Sequence, residues 1–148
     1  MRLIKIVFTL FCCSLLTLQS FANIHSDKPI AFEDLPICAQ NFILEYFSHM
    51  TVTRASYNTQ ADNRNYEVNL SDNTTLKFDE IGHWTTIESQ DSSIPTTMIP
   101  DEIMTQVRTK DSAGNIRKIE KSEEAYHVTL LDRNEMLFNL DFTPIEDF

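Results

Sequence analysis

The stretch Tyr66-Glu67-Val68-Asn69-Leu70-Ser71-Asp72-Asn73-Thr74-Thr75-Leu76-Lys77-Phe78 decides the fold, because the chain writes it twice. Tyr66, Val68, Leu70, Asp72, Leu76 and Phe78 are matched 60 positions later by Tyr126, Val128, Leu130, Asp132, Met136 and Phe138. Apolar residues at every second position are the signature of a half-buried strand. Asp72-Asn73 and Asp132-Arg133-Asn134 are turn chemistry. Each copy therefore predicts a β-hairpin, and a period of this length predicts a duplicated unit.

Working outward, Leu35-Pro36 pairs with Ile99-Pro100 at an offset of 64, the second copy having a shorter loop. Proline suits the first turn of a helix, and Asp34, Asp101 and Glu102 place negative charge at the favourable end. Leu35, Cys38, Ala39, Phe42, Ile43, Tyr46 and Phe47 follow helical spacing, as do Ile99, Ile103, Met104 and Val107. That spacing also assigns Cys38 to the core. Gly114 is placed to end the second helix. Strands are expected at Val52–Tyr57, Tyr66–Leu70, Leu76–Phe78 and Trp84–Glu88, with a polar turn between Asn58 and Asn65. The second copy repeats them at Ile116–Lys121, Tyr126–Leu130, Glu135–Leu140 and Phe142–Glu146, the last weakened by Pro144. The expected fold is α+β. Tandem α-β-β-β-β repeats form one antiparallel sheet of about eight strands, with two helices on one face. The divisions are a signal peptide (1–22), a loosely held leader (23–33), the first repeat (34–89), a linker (90–97) and the second repeat (98–148).

Arg2 and Lys5, an uncharged apolar run from Ile6 to Leu18, and Ser20-Phe21-Ala22 have the form of an export signal cut after Ala22. Removal of these residues takes away two bases and no acid, so the formal charge of −10 becomes −12. No positive run survives to track phosphates, which argues against nucleic-acid binding. No membrane span is expected after cleavage. Of three cysteines only Cys38 remains, and one thiol closes no internal disulfide. The expected location is periplasmic or secreted.

The leader, the two proline-initiated helices and the twice-written Tyr-x-Val-x-Leu-x-Asp motif, followed in the first copy by Asp79-Glu80-Ile81-Gly82-His83-Trp84, resemble the beta-lactamase-inhibitor-like, PepSY-like family of secreted bacterial proteins. The resemblance runs from about Leu35 to Ile145. It implies helices packed on one face of the sheet and an open reverse face, and it brings no catalytic residues. Two departures stand out: Ser48 replaces a helix-ending glycine, and Asp141-Phe142-Thr143-Pro144 lacks the glycine and tryptophan of the first copy.

His25, His49, His83 and His127 have no second ligand at helical spacing, so no metal or cofactor is expected. Two glycines build no phosphate loop or nucleophile elbow, and no residue pattern nominates a catalytic site. The open face is the remaining candidate. Glu67, Asn69, Thr75 and Lys77 should project there from the first copy, and His127, Thr129, Glu135, Leu137 and Asn139 from the second. Trp84, beside a turn, is the residue type favoured at interaction hot spots, although a place folded over the sheet edge as peripheral core is the somewhat stronger expectation for it. The candidate binding set is thus Trp84, Glu67, Asn69, Thr75, Lys77 and Leu137. The leading expectation is a non-enzymatic binding protein of the bacterial envelope that offers its sheet face to a protein or peptide, with enzyme inhibition as a narrower form. Two alternatives are a small-ligand carrier with a pocket between helices and sheet, and an enzyme with a site assembled across the fold.

Overall fold

The computed structural model describes residues 27–59 and 65–145. The proposed signal peptide and most of the polar Asn58–Asn65 turn lie outside those residues. One antiparallel sheet runs β1 (Asp27–Pro29), β2 (Val52–Asn58), β3 (Asn65–Leu70), β4 (Thr74–Phe78), β5 (Trp84–Ser89), β6 (Ile116–Lys121), β7 (Ala125–Leu130) and β8 (Glu135–Asn139), with spatial order equal to chain order. Two helices, α1 (Ile37–Tyr46) and α2 (Asp101–Lys110), connect β1 to β2 and β5 to β6.

Hydrophobic periodicity explains which side is covered. Leu35, Ala39, Ile43 and Phe47 recur every four residues and are all buried, as are Ile99, Ile103, Met104 and Val107. They share one core with Val68, Leu76, Phe78, Ile87, Ile119, Val128 and Phe138, each fully buried. Phe42 of α1 meets Phe78 of β4 edge to face, ring centroids 5.9 Å apart. Removing a large side chain such as Phe78 from water contributes roughly 1.5–3 kcal/mol.

The two hairpins have matching registers. Tyr66 pairs with Phe78 and Val68 with Leu76; Tyr126 pairs with Phe138 and Val128 with Met136. Each hairpin turn places its third residue in the left-handed region, Asn73 at φ 62° and Arg133 at φ 71°. Asp72 accepts the Thr74 N–H and Asp132 the Asn134 N–H, both side chains closing their own turns.

Three expectations are corrected. The leader is not wholly loose: Asp27–Pro29 pairs with Ser56–Asn58 as the edge strand β1, and Phe32–Asp34 forms a 3-10 turn. Phe142–Glu146 is not a full strand. Its described part makes a single bridge, Pro144 to Phe138, and one hydrogen bond from Ile145 N–H to Leu137 O. Proline has no N–H to donate to a ladder, which weakens pairing at this position. Cys38 is exposed rather than core. The buried stripe steps by four through Ala39, so Cys38 is rotated off it, against the Gly82 turn.

That turn is tightly fitted. Gly82 has φ 91°, and a Cβ there would lie 2.7 Å from Pro36 Cβ and 3.0 Å from the Ala39 nitrogen. Glycine alone lets the β4–β5 turn press against the start of α1.

Candidate functional site

The uncovered face of the sheet is built from the strand positions that alternate with the core. Two rows cross it. In one, Arg54, Asn69, Thr75, Glu88, Lys118, Thr129 and Glu135 are cross-strand neighbours in turn. In the other, Glu67 faces Lys77, Lys77 faces Thr86, and the row continues through Glu120, His127 and Leu137. The structure thus brings Glu67, Asn69, Thr75, Lys77 and Leu137 onto one surface.

Charges of opposite sign lace this surface. Lys77 Nζ lies 3.8 Å from Glu67 and Lys118 Nζ 2.9 Å from Glu120. Arg117 approaches Glu88 at 3.7 Å. His127 stands between two carboxylates, with Nδ1 3.8 Å from Glu120 and Nε2 3.3 Å from Glu135. The two ring nitrogens point to different acids. Among the described residues no group of His, Cys, Asp or Glu forms a metal-ligand set. Exposed pairs of this kind contribute about 0–1 kcal/mol each, so they organise the surface more than they stabilise it.

The face is shallowly hollowed. One depression of about 360 Å³ is lined by residues including Thr86, Glu120, His127 and Leu137. Another, of about 440 Å³, is lined by Glu88, Arg117, Lys118, Thr129, Arg133 and Glu135. Arg117 reaches it through a β-bulge, a register shift between Ile116 and Lys118. A bulge re-aims a side chain that strict alternation would send to the other face. Sequence alternation therefore missed Arg117, because a bulge is a property of two paired strands.

Trp84 separates from the other candidates for the same reason. A shift between Lys77 and Phe78 pairs Trp84 with Phe78, on the helix side. Trp84 is half-buried against the core, its ring 6.4 Å from that of Tyr126, which in turn meets Phe142 at 5.4 Å. It braces the sheet from behind rather than lining the open face.

The pattern that matches residues 64–146 is that of the family described as "Putative beta-lactamase-inhibitor-like, PepSY-like". No curated protein matches. Among solved structures, one described as a "putative calcium-regulated periplasmic protein" from Bacteroides thetaiotaomicron superposes with a TM-score of 0.78 at 32% identity, covering 81% of this chain and 94% of its own. One described as a "putative periplasmic protein" of the DUF2874 family, from Bacteroides vulgatus, gives 0.78 at 32% identity, covering 83% and 97%. A second B. vulgatus periplasmic protein, of unknown function, gives 0.73 at 25% identity, covering 81% and 97%. None of these descriptions names a catalytic activity. Among the described residues no helix is long and apolar enough to cross a membrane. The chain belongs to the PepSY-like, beta-lactamase-inhibitor-like family of periplasmic or secreted proteins.

Proposed function

We propose that this protein is a non-enzymatic binding module of the bacterial envelope, and that the open sheet face receives a protein or peptide partner. One observation carries the reading: two hollows, of about 360 and 440 Å³, and the alternating charge rows lie on the side that no helix covers. Beneath the helices the space is filled by fully buried side chains, Phe47, Phe78 and Phe138 among them, which favours the face over an internal ligand pocket. On this reading Lys77, Glu67, Asn69, Thr75 and Leu137 touch the partner and Trp84 packs behind them. Residues 34–89 and 98–148 are read as two copies of one unit, joined by the pairing of β5 with β6. Inhibition of an envelope enzyme is a narrower form that rests on fold likeness alone, a weak warrant for function.

The test is capture from envelope extract on the immobilised mature chain, with and without calcium. Partners held by the wild type should be retained by the helix-face variant Ile37→Asp/Leu44→Asp and lost by Lys77→Glu/Leu137→Asp. Full retention by the sheet-face variant overturns the proposal.

A further inference from the structure

We propose that the hollow at the β6 bulge is a carboxylate-binding site whose occupant is an extended acidic segment of a partner polypeptide. This rests on the sheet face being the binding surface and names the chemistry it selects. Arg117, Lys118 and Arg133 line one depression of about 440 Å³, a concentration of cations on a chain with 22 acids against 12 bases.

Two backbone irregularities bring them together. The bulge between Ile116 and Lys118 puts consecutive residues, Arg117 and Lys118, into the same hollow. The β7–β8 turn holds Arg133 at φ 71°, a conformation uncommon for arginine and favoured by asparagine. The first half carries the same two irregularities. A bulge lies between Val52 and Arg54, and Asn73 sits at φ 62° in the β3–β4 turn. The corresponding residues there are Thr53, Arg54 and Asn73. The backbone device is common to both halves, while the cluster of cations belongs to one. Asparagine satisfies the turn at Asn73; arginine at 133 accepts strain and brings charge.

Lys118 is held by Glu120 at 2.9 Å, while the two arginines have capacity to spare. The Arg117 Nη2 is 3.7 Å from Glu88, beyond hydrogen-bond range, and its Nε–H is buried with no partner. The Arg133 guanidinium makes no hydrogen bond or ion pair among the described residues. A guanidinium fork matches a carboxylate with two parallel bonds. Glu88 and Glu135 share the hollow, so it suits one carboxylate of a segment whose charges are spread along the chain better than the concentrated, nearly double charge of a phosphate. The 360 Å³ depression lies alongside, reached from Lys118 to Glu120 on β6 and from Thr129 to His127 on β7. Two adjacent hollows along the strand direction suit an extended chain rather than a small anion.

The experiment follows amide shifts of the ¹⁵N-labelled mature chain titrated with acetyl-Glu-Glu-Glu-amide, acetyl-Gln-Gln-Gln-amide and inorganic phosphate. The acidic peptide should shift Arg117, Lys118 and Arg133 to saturation, and the neutral peptide should not. Arg133→Asn should weaken acidic-peptide binding roughly ten- to hundredfold while raising Tm, a split that lost folding cannot mimic. Equal response to both peptides, phosphate binding as tight as the acidic peptide, or undiminished binding by Arg133→Asn each overturns the inference. Envelope capture lost in Lys77→Glu/Leu137→Asp but kept in Arg133→Asn would refute this hollow and leave the sheet-face reading standing. Acidic-peptide binding with full capture by the sheet-face variant would do the reverse.

Discussion

The turns at Asp79–His83 and Asn139–Thr143 share one hydrogen-bond frame and lead to different outcomes. Asp79 N–H donates to His83 O and Gly82 N–H to Asp79 O; Asn139 N–H donates to Thr143 O and Phe142 N–H to Asn139 O. Gly82 and Phe142 both adopt positive φ, 91° and 67°. From the first turn the chain runs on as the six-residue β5, beginning at Trp84. From the second it makes one bridge at Pro144. The comparison separates two demands. Turn shape is held by the turn's own hydrogen bonds, strongly enough to keep a phenylalanine in a glycine's conformation. Continuation depends on an N–H to donate, which Trp84 has and Pro144 lacks.

Substitutions can break or sharpen this contrast. The largest losses are expected from Phe78→Ala and Phe138→Ala, about 3–5 kcal/mol each by denaturant unfolding. Phe78, which also meets Phe42, should be the costlier, and the reverse order would break the picture of a first half more tightly clamped by its helix. Gly82→Ala should cost about 2–4 kcal/mol, since the left-handed backbone and the contacts with Pro36 and Ala39 both oppose a Cβ. Phe142→Ala keeps the same strain and loses only ring contact with Tyr126, so about 1 kcal/mol is expected. Similar losses at positions 82 and 142 would show that the two turns are equally pressed by their surroundings. Lys77→Glu should change stability by under about 1 kcal/mol, because its pair with Glu67 is exposed.

The smallest effect is one of acidity. Backbone N–H donation from Asn115 and Ala113 holds the Asp111 carboxyl below its ordinary value of 3.8. A depressed folded-state pKa gives stability that is complete above the unfolded value and lost as pH falls through the folded one. The wild type should therefore lead Asp111→Asn at neutral pH, and the lead should shrink as pH drops below the ordinary aspartate value. A constant difference across an acid titration would exclude the carboxylate as its cause.

What the sequence disclosed divides along physical lines. The hairpins around Asp72 and Asp132 were legible because alternation and turn chemistry are local. Both helices were legible from their four-step stripes, although the stripe admitted Cys38, whose place depends on helix rotation against the Gly82 turn. The three residues of β1 carry no periodicity, and their strand exists through pairing with Ser56–Asn58. For the candidate face, alternation placed Glu67, Asn69, Thr75, Lys77 and Leu137 together. Arg117 escaped it, because the bulge beside it reverses the side that alternation gives, and Trp84 takes the peripheral-core place at the sheet edge that the sequence also offered.

The prolines at the two ends of the sheet carry a consequence for how this molecule behaves in a crowd. Pro29 sits in the first edge strand, and Pro144 bridges to the last, with Ile145 folded back on Leu137. A ladder of eight antiparallel strands is a template for fibre growth unless its margins refuse another strand. Here both margins are blunted by the one residue type that has no backbone donor. Copies of this protein should stay separate at high concentration, and on the proposed reading a partner would meet side chains on the open face of the sheet rather than add a strand at its border.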